Sequence, residues 1–220
     1  MINNIICAML IVAHRGASAI APENTIQSFK IAIDGVLVVC HDPTLDRTAD
    51  GRGVIKNKTF AEIRELDAGG GQKIPTLKEV LNLVKGKSDL IIEIKESGTE
   101  LEALKMVKNT KMSENVIIAS FYHSVSLNVK SIDPMVKAGV IFRCQPVSSK
   151  TLAIDAQANI IFPQHQFLNT QMVQDTHYHD IQVFPWIIED QVNFERARAL
   201  RVDGVITNRP ETIKLSYFED

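Results

Sequence analysis

Two histidines near the start of the chain each follow a short apolar run, and each is followed by a charged residue. His14 precedes Arg15, and His41 precedes Asp42. An unperturbed imidazole has a pKa near 6.5, so one ring can accept a proton while the other donates one. That pairing suits in-line displacement at phosphorus, with Arg15 positioned to bind phosphate oxygens. A single histidine in a strand is more often a buried, hydrogen-bonded core group, and this alternative remains open for either one.

A carboxylate and an ammonium group share one face of the run "LIIEIK". The two-residue period of a strand places Glu93 and Lys95 on the same side as Ile91. Burying a carboxylate with no compensating partner is costly, so Glu93 needs either a metal cation or a salt bridge. Lys95 could supply that salt bridge as a purely structural ion pair, or it could bind a phosphate beside a metal-bound Glu93.

Composition limits the classes of protein to which the chain could belong. It has 220 residues, 45% of them hydrophobic, and 24 Lys and Arg against 26 Asp and Glu. This length suffices for one large core, so we expect a single domain over residues 1–220. The near balance of charge gives no general basic field for nucleic acid or an anionic membrane. We therefore expect a small-molecule substrate, no nucleic-acid partner and no stable membrane insertion.

Short apolar runs alternate with stretches of helical periodicity along most of the chain. The apolar runs are 9–13, 36–40, 90–94, 116–119, 139–142, 159–162, 182–184 and 204–206. The helical stretches are 25–33, 76–84, 101–110, 123–131, 169–177 and 193–200. This alternation predicts an α/β fold with a parallel sheet covered by helices. Eight runs favour a (β/α)8 TIM barrel with its chemistry at the carboxyl ends of the strands; an open doubly wound sheet is the alternative.

Three further features concern compartment and local structure. Cys7, Cys40 and Cys144 are odd in number, lie in apolar runs and match no metal-binding pattern, which predicts buried, reduced thiols. The apolar start has no preceding Lys or Arg and no small-residue cleavage site, so we expect a core strand in a cytoplasmic protein. Residues 43–75 form a long irregular excursion after the second run, and "TFAEIRELDAG" within it predicts an amphipathic helix.

Five stretches of the sequence resemble one family of enzymes. They are "AHRGASAIAPENTIQSF" (13–29), "GVLVVCHDPTLDRTADGRGVIKNKTFAEIRELDAG" (35–69), "IPTLKEVL" (74–81), "IIEIK" (91–95) and "VDGVITNRPE" (202–211). Together they are similar to the glycerophosphodiester phosphodiesterase family and span nearly the whole chain. The resemblance implies a (β/α)8 barrel of the phospholipase-C-like type and metal-dependent hydrolysis of glycerophosphodiesters to glycerol 3-phosphate and an alcohol. Because some members act on lysophospholipids, lysophospholipase D-type activity is an alternative.

The resemblance assigns roles to residues near the first two apolar runs. His14 and His41 match the family's general acid and base. Arg15 matches a phosphate contact, and Glu23, in "PENT", matches a residue that orients the site.

The resemblance also assigns roles to residues farther along the chain. Glu93 matches the metal-binding glutamate of a strand, and the cation it implies is Mg²⁺ or Ca²⁺. Lys95 matches a residue beside the phosphate. Phe121 and Trp186 resemble aromatic residues near the substrate alcohol, although each could equally be a packing residue on the barrel rim.

One segment of the family pattern is absent from the sequence. Members of the family carry Gly-Ala-Asp-x-Ile-Glu-x-Asp before the run "GVLVVCHD", and this stretch supplies a barrel strand and two metal ligands. No equivalent stands between Asp34 and Gly35. Because Mg²⁺ and Ca²⁺ require about six or more oxygen ligands, Glu93 alone makes a poor site.

Two explanations of this absence are open. The protein contains the segment and these 220 residues omit it, which we favour, or the chain truly lacks it. A true deletion would favour a non-catalytic barrel that binds phosphorylated ligands without the Glu-x-Asp metal pair.

Overall fold

The computed structural model describes residues 10–13, 27–30 and 36–210 of the chain. Its strands are β1 (Leu10–Ala13), β2 (Gln27–Lys30), β3 (Leu37–Val39), β4 (Leu90–Ile94), β5 (Val116–Ser120), β6 (Lys137–Phe142), β7 (Ile160–Pro163), β8 (Gln182–Val183) and β9 (Gly204–Thr207). Its helices are α1 (Phe60–Glu65), α2 (Leu77–Val84), α3 (Glu100–Asn109), α4 (His123–Ile132), α5 (Ser149–Asp155), α6 (Thr170–His177) and α7 (Gln191–Ala199). Short 3-10 turns lie at Ile55–Asn57, Ser113–Asn115 and His165–Phe167.

The strands form a mainly parallel sheet, as the alternation of apolar runs and helical stretches predicts. Seven strands pair in the order β3-β2-β4-β5-β6-β7-β8, and β1 pairs with β9 in parallel. Backbone hydrogen bonds join the two groups beside β8: Asp203 donates to the Val183 carbonyl at 3.1 Å, and Ile206 donates to the Pro185 carbonyl at 3.0 Å. The carboxyl ends of the parallel strands therefore lie at one common face.

The predicted helix over 25–33 is wrong where the structure describes it. Residues 27–30 form β2, parallel to β4 with Ser28 opposite Ile94, and antiparallel to β3 with Lys30 opposite Leu37. The edge of β4 presents backbone groups that need hydrogen-bond partners, and a strand satisfies them where a helix cannot. The short chain between Lys30 and Leu37 also suits antiparallel neighbours, because parallel strands need a long crossover. The 36–40 run therefore forms the antiparallel edge strand β3 and does not lie beside β4.

The other apolar runs and helical stretches are confirmed to within two residues at their ends, and the amphipathic helix predicted over 59–69 is confirmed in a shorter form, Phe60–Glu65. Several helices begin where a side chain caps the first turn. Thr76 accepts a hydrogen bond from the Glu79 backbone N–H while the Glu79 carboxylate accepts one from the Thr76 backbone, and the excursion helix α1 starts with the same arrangement at Thr59 and Glu62. The short helix α5 has no counterpart among the predicted helical stretches.

The apolar side chains divide between the interior of the sheet and its helix-covered face. Buried Ala119, Ile141, Ile160, Phe162 and Phe184 form the interior cluster. The intervening residues of the same strands pack against the helices. A Cβ atom at Gly139 would lie 2.3 Å from the Phe162 ring, so only glycine fits opposite this phenylalanine.

The excursion after β3 has a small core of its own. Val38 and Cys40 pack there with Leu45, Ile55, Ile63 and Ile74, whereas Leu37 and Val39 pack on the helix side of the sheet. The strand β3 therefore contributes alternate side chains to two different cores.

The cysteines only partly follow the prediction of buried thiols. Cys40 is buried, and burial raises the pKa of its thiol, although a hydrogen bond with Thr48 opposes that shift. Cys144 is exposed, which makes the prediction wrong there, because it lies in a bend just beyond the end of β6. Cys7 lies outside the described residues. None of the helices in the described ranges has the length and apolar character needed to cross a membrane.

Candidate functional site

Three of the predicted site residues lie outside the part of the chain that the structure describes. These are His14, Arg15 and Glu23, and their roles stay predictions. The step from Asp34 to Gly35 also lies outside it.

Glu93 and Lys95 form an ion pair at the carboxyl end of β4. The Lys95 Nζ atom lies 2.7 Å from Glu93 Oε1, and the side chains are 24% and 15% exposed, respectively. The strand alternation that places both on one face thus brings them into direct contact. Because both side chains keep some exposure, the pair can be reached by a ligand.

Two aromatic residues extend this contact around the end of the sheet. Lys95 Nζ lies 5.7 Å from the centroid of the Phe121 ring, within the range of a cation–π contact. The Phe121 and Trp186 rings meet edge to face, with 5.7 Å between their centroids. The Trp186 indole N–H donates to the Phe162 carbonyl at 2.8 Å, which fixes the orientation of the ring. The structure therefore brings four predicted site residues, Glu93, Lys95, Phe121 and Trp186, into one continuous series of contacts.

His41 lies on the bend after β3, and a carboxylate and an arginine hold it there. Its Nδ1 atom lies 2.5 Å from Asp42 Oδ1, and Arg47 Nε donates to Asp42 Oδ2 at 2.6 Å. The hydrogen bond from Arg47 is the main reason that the pKa of Asp42 falls to about 2. The ionised carboxylate favours a proton on Nδ1 of His41, which makes Nε2 the acceptor nitrogen of the neutral ring.

The strand register places His41 near the height of Glu93. Val39 lies opposite Ser28, and Ser28 lies opposite Ile94. Since β3 runs antiparallel to β4, the two residues after Val39 descend to the level just below Glu93. The two strands are separated by β2, a distance of about 10 Å between backbones. Continued past the end of β3, this register puts His41 at the level of Ile92, in the middle of β4, where β3 runs toward the amino ends of the parallel strands.

Arg47 was not among the predicted site residues. Its contact with Asp42 depends on a turn in which Thr48 and Ala49 both donate to the Leu45 carbonyl. That turn carries the chain back toward His41. The run "HDPTLDR" was the available signal, but periodicity does not predict the direction of an irregular turn.

The described residues do not by themselves fit a divalent cation. Within residues 36–210, no three His, Cys, Asp or Glu side chains are grouped as metal ligands. Glu93 supplies one carboxylate and Lys95 occupies a position beside it, whereas Mg²⁺ and Ca²⁺ need several oxygen ligands. This agrees with the absence of the Glu-x-Asp pair from the sequence.

Comparison with known proteins identifies the family. Residues 14–212 match the sequence model of the glycerophosphoryl diester phosphodiesterase family. The chain belongs to this family. A glycerophosphodiester phosphodiesterase of Caldanaerobacter subterraneus subsp. tengcongensis is 36% identical over 232 residues, covering 93% of this chain and 96% of that protein. One from Bacillus subtilis is 30% identical over 247 residues, covering 92% and 84%, respectively. The crystal structure of a glycerophosphodiester phosphodiesterase from Agrobacterium tumefaciens superposes with a TM-score of 0.83 at 25% identity, covering 94% of this chain and all of that one.

These likenesses confirm the family and the fold predicted from the motifs. The protein is a (β/α)8 barrel of the family's type, and the prediction of a phosphoric diester hydrolase is confirmed at the level of enzyme class. The first alignment spans 232 positions, more than the residues in 93% of a 220-residue chain. Some aligned positions of the relative therefore have no counterpart here, as the absent segment requires.

Proposed function

We propose that the protein hydrolyses glycerophosphodiesters to glycerol 3-phosphate and an alcohol. The observation that carries the proposal is the series of contacts from Glu93 through Lys95 and Phe121 to Trp186 at the carboxyl ends of the barrel strands. This series combines a cation for phosphate oxygens with an aromatic wall for an organic group. Family membership supports the same reaction, because the relatives described above are named for it. We further propose that residues 1–220 form one catalytic domain that acts in the cytoplasm.

Binding of the phosphodiester rests on cationic side chains. Lys95 is held by Glu93 and stacked against Phe121, so its ammonium group is positioned before substrate arrives. Arg15 supplies a second cation in the proposal and can contact two phosphate oxygens at once. Positioned positive charge stabilises the charge that builds on the phosphate oxygens as the bond to the alcohol breaks. Glu23 is proposed to orient these groups.

Proton transfer is assigned to the two histidines. His41 Nδ1 pairs with the Asp42 carboxylate, and in the proposal its Nε2 atom is the one that exchanges the proton. One imidazole removes the proton from the attacking oxygen, and the other gives a proton to the departing alcohol oxygen. His14 is the proposed partner, and which ring acts first is left open by the contacts of His41.

The family implies a divalent cation, and we propose that Mg²⁺ or Ca²⁺ supports the reaction with Glu93 as one of its ligands. Such an ion would neutralise charge on the phosphate when bound. The described side chains do not complete its coordination. The remaining ligands would come from the absent Glu-x-Asp segment.

The experiment that tests the proposal is release of glycerol 3-phosphate from a panel of glycerophosphodiesters, with and without a chelator. We expect release, loss of activity on chelation, and recovery with added Mg²⁺ or Ca²⁺. Activity that survives chelation would contradict the cation. Tight binding of glycerol 3-phosphate with no turnover under any cation would instead favour a non-catalytic phospho-ligand-binding barrel.

A second candidate function is lysophospholipase D-type activity, which would require apolar surface beside the site. Phe121 and Tyr122, just after β5, are 44% and 55% exposed, and Val147, between β6 and α5, is fully exposed. These side chains lie at the end of the barrel that carries the ion pair. Faster turnover of a lysophospholipid than of the matching deacylated glycerophosphodiester would favour this activity.

A further inference from the structure

The end of β6 carries an arginine that the proposed reaction does not use. Arg143 directly follows β6 and is exposed. Within the described ranges, no carboxylate pairs with its guanidinium group. An arginine with no acidic neighbour, at the end of the barrel where the substrate binds, is available to an anionic ligand.

The register indicates that Arg143 belongs to the inward face of the barrel. Gly139 faces the Phe162 ring in the interior, and Ile141 lies in the interior cluster opposite Phe162. Since side chains alternate along a strand, position 143 falls on the same inward face as Gly139 and Ile141. The ladder continues this far, because the Gln164 backbone donates to the Phe142 carbonyl at 3.0 Å. Arg143 therefore stands at the mouth of the barrel.

The neighbours of Arg143 belong to the wall assigned to the substrate alcohol. The same register places it beside Gln164, and Gln164 is bridged to Trp186 across the next strand. Lys95 directly follows β4, two strands away and two residues lower, which separates the two backbones by about 12 Å. Side chains as long as lysine and arginine, placed at these two positions, can span this gap and contact opposite ends of one small anionic molecule.

We propose that Arg143 binds an anionic group on the leaving alcohol and makes the enzyme prefer glycerophosphodiesters whose alcohol carries a carboxylate. The proposal rests on the proposed function and names its substrate class. Gln164 is the neighbour that can donate a second hydrogen bond to such a carboxylate.

A cationic alcohol such as choline is disfavoured at the same wall. Aromatic rings bind quaternary ammonium groups through their faces, and Phe121 and Trp186 could in principle do so. The Phe121 ring already has the Lys95 ammonium 5.7 Å from its centroid. Arg143 adds a second positive charge near Trp186. A cationic alcohol would therefore be repelled by Arg143, and Lys95, whose charge is balanced by Glu93 2.7 Å away, already occupies the Phe121 ring.

Two substrates that differ only in a carboxylate test the proposal. Glycerophosphoserine is glycerophosphoethanolamine with one carboxylate added to the alcohol, so the ratio of their kcat/KM values isolates that group. We expect the wild type to prefer glycerophosphoserine. Arg143→Gln should lower the ratio by about tenfold to a hundredfold, which is the range of a charge-assisted hydrogen bond. Arg143→Lys should give an intermediate ratio, since it keeps the charge and loses the planar fork.

Lys137→Gln is the matched control. Lys137 is exposed at the opposite end of the same strand, so this change removes one positive charge from β6 without touching the mouth. Its ratio should equal that of the wild type. If the wild type is active and the ratio is unchanged in Arg143→Gln, the proposed role of Arg143 is overturned while the proposed function stands. A wild type that releases glycerol 3-phosphate from neither compound would contradict the proposed function itself.

Discussion

At the scale of single residues, His41, Asp42 and Arg47 form a unit in which each side chain orients the next. The Asp42 carboxylate receives the His41 ring on one oxygen and the Arg47 guanidinium on the other. This arrangement holds the histidine in one tautomer and one direction. The sequence predicts His41, because it ends an apolar run and matches a family motif. It does not predict the role of Arg47, which depends on how an irregular turn folds.

Replacement of His41 by alanine should reduce the rate of glycerol 3-phosphate release by about 10²–10⁴-fold, the usual contribution of a general acid or base. The comparison is steady-state kcat at saturating substrate. His179→Ala is the control, because His179 is exposed on the turn before β8. Equal rates in wild type and His41→Ala would remove the acid–base assignment.

Acid should weaken the fold in part through Asp42. The pKa of this carboxyl in the folded protein is about 2, below its usual 3.8, because Arg47 and His41 stabilise its charged form. The resulting stability is present above the usual value and is lost as the pH falls from about 4 to about 2. Denaturant unfolding across this range should show a smaller acid-dependent loss in Asp42→Asn than in the wild type. Asp180→Asn, at an exposed carboxylate, should retain the wild-type slope.

At the scale of elements, strands with strong apolar runs were predictable and those set by tertiary pairing were not. The run 90–94 coincides with β4, because a continuous β-type run is typical of a covered parallel strand; Leu90, Ile92 and Ile94 are buried and the two residues between them are partly buried. Residues 27–30 have helical periodicity, yet they pair with β3 and β4, because the open edge of the sheet outweighs local preference. The helix α5 is short and polar, so its start depends on the Ser148 cap more than on any apolar stripe.

The packing between β6 and β7 gives a test of the barrel interior. Gly139→Ala should destabilise the protein by about 1–3 kcal/mol, because the new methyl group would overlap the Phe162 ring. The free energy of unfolding in urea measures this cost. Combined with Phe162→Leu, the loss should be smaller than the sum of the two single changes, since the smaller side chain makes room. If the losses in unfolding free energy were strictly additive, residue 139 and the side chain at 162 would not be in steric contact.

At the scale of the whole molecule, the family and the barrel follow from the sequence, whereas the completeness of the cation site does not. Motifs spread from residue 13 to residue 211 carry the family signal, and similarity to relatives extends across more than nine-tenths of the chain. Glu93 and Lys95 were predictable as a pair from strand alternation alone. The further ligands that the family resemblance implies belong to a segment absent from these 220 residues, so no reasoning from this sequence can place them.

The mass of the intact protein distinguishes the two explanations of the absent segment. We expect a mass well above the 24.5 kDa of the 220 residues, because the family pattern has a segment at this place and the 232-residue alignment is longer than the part of this chain that it covers. Mass spectrometry of the purified full-length protein gives the answer directly. A mass of 24.5 kDa would establish a true deletion, and the proposal of a cation-dependent reaction would then fail.

The strand β3, which precedes His41, packs its side chains into two separate cores, so its stability is limited by the less stable of the two. The small cluster beneath residues 43–75 has far fewer buried groups than the barrel and should loosen first on warming. Turnover would then fade at a temperature where circular dichroism still reports an intact scaffold. Heat inactivation would therefore occur at a lower temperature than global unfolding in this enzyme, because β3 would lose its structure first.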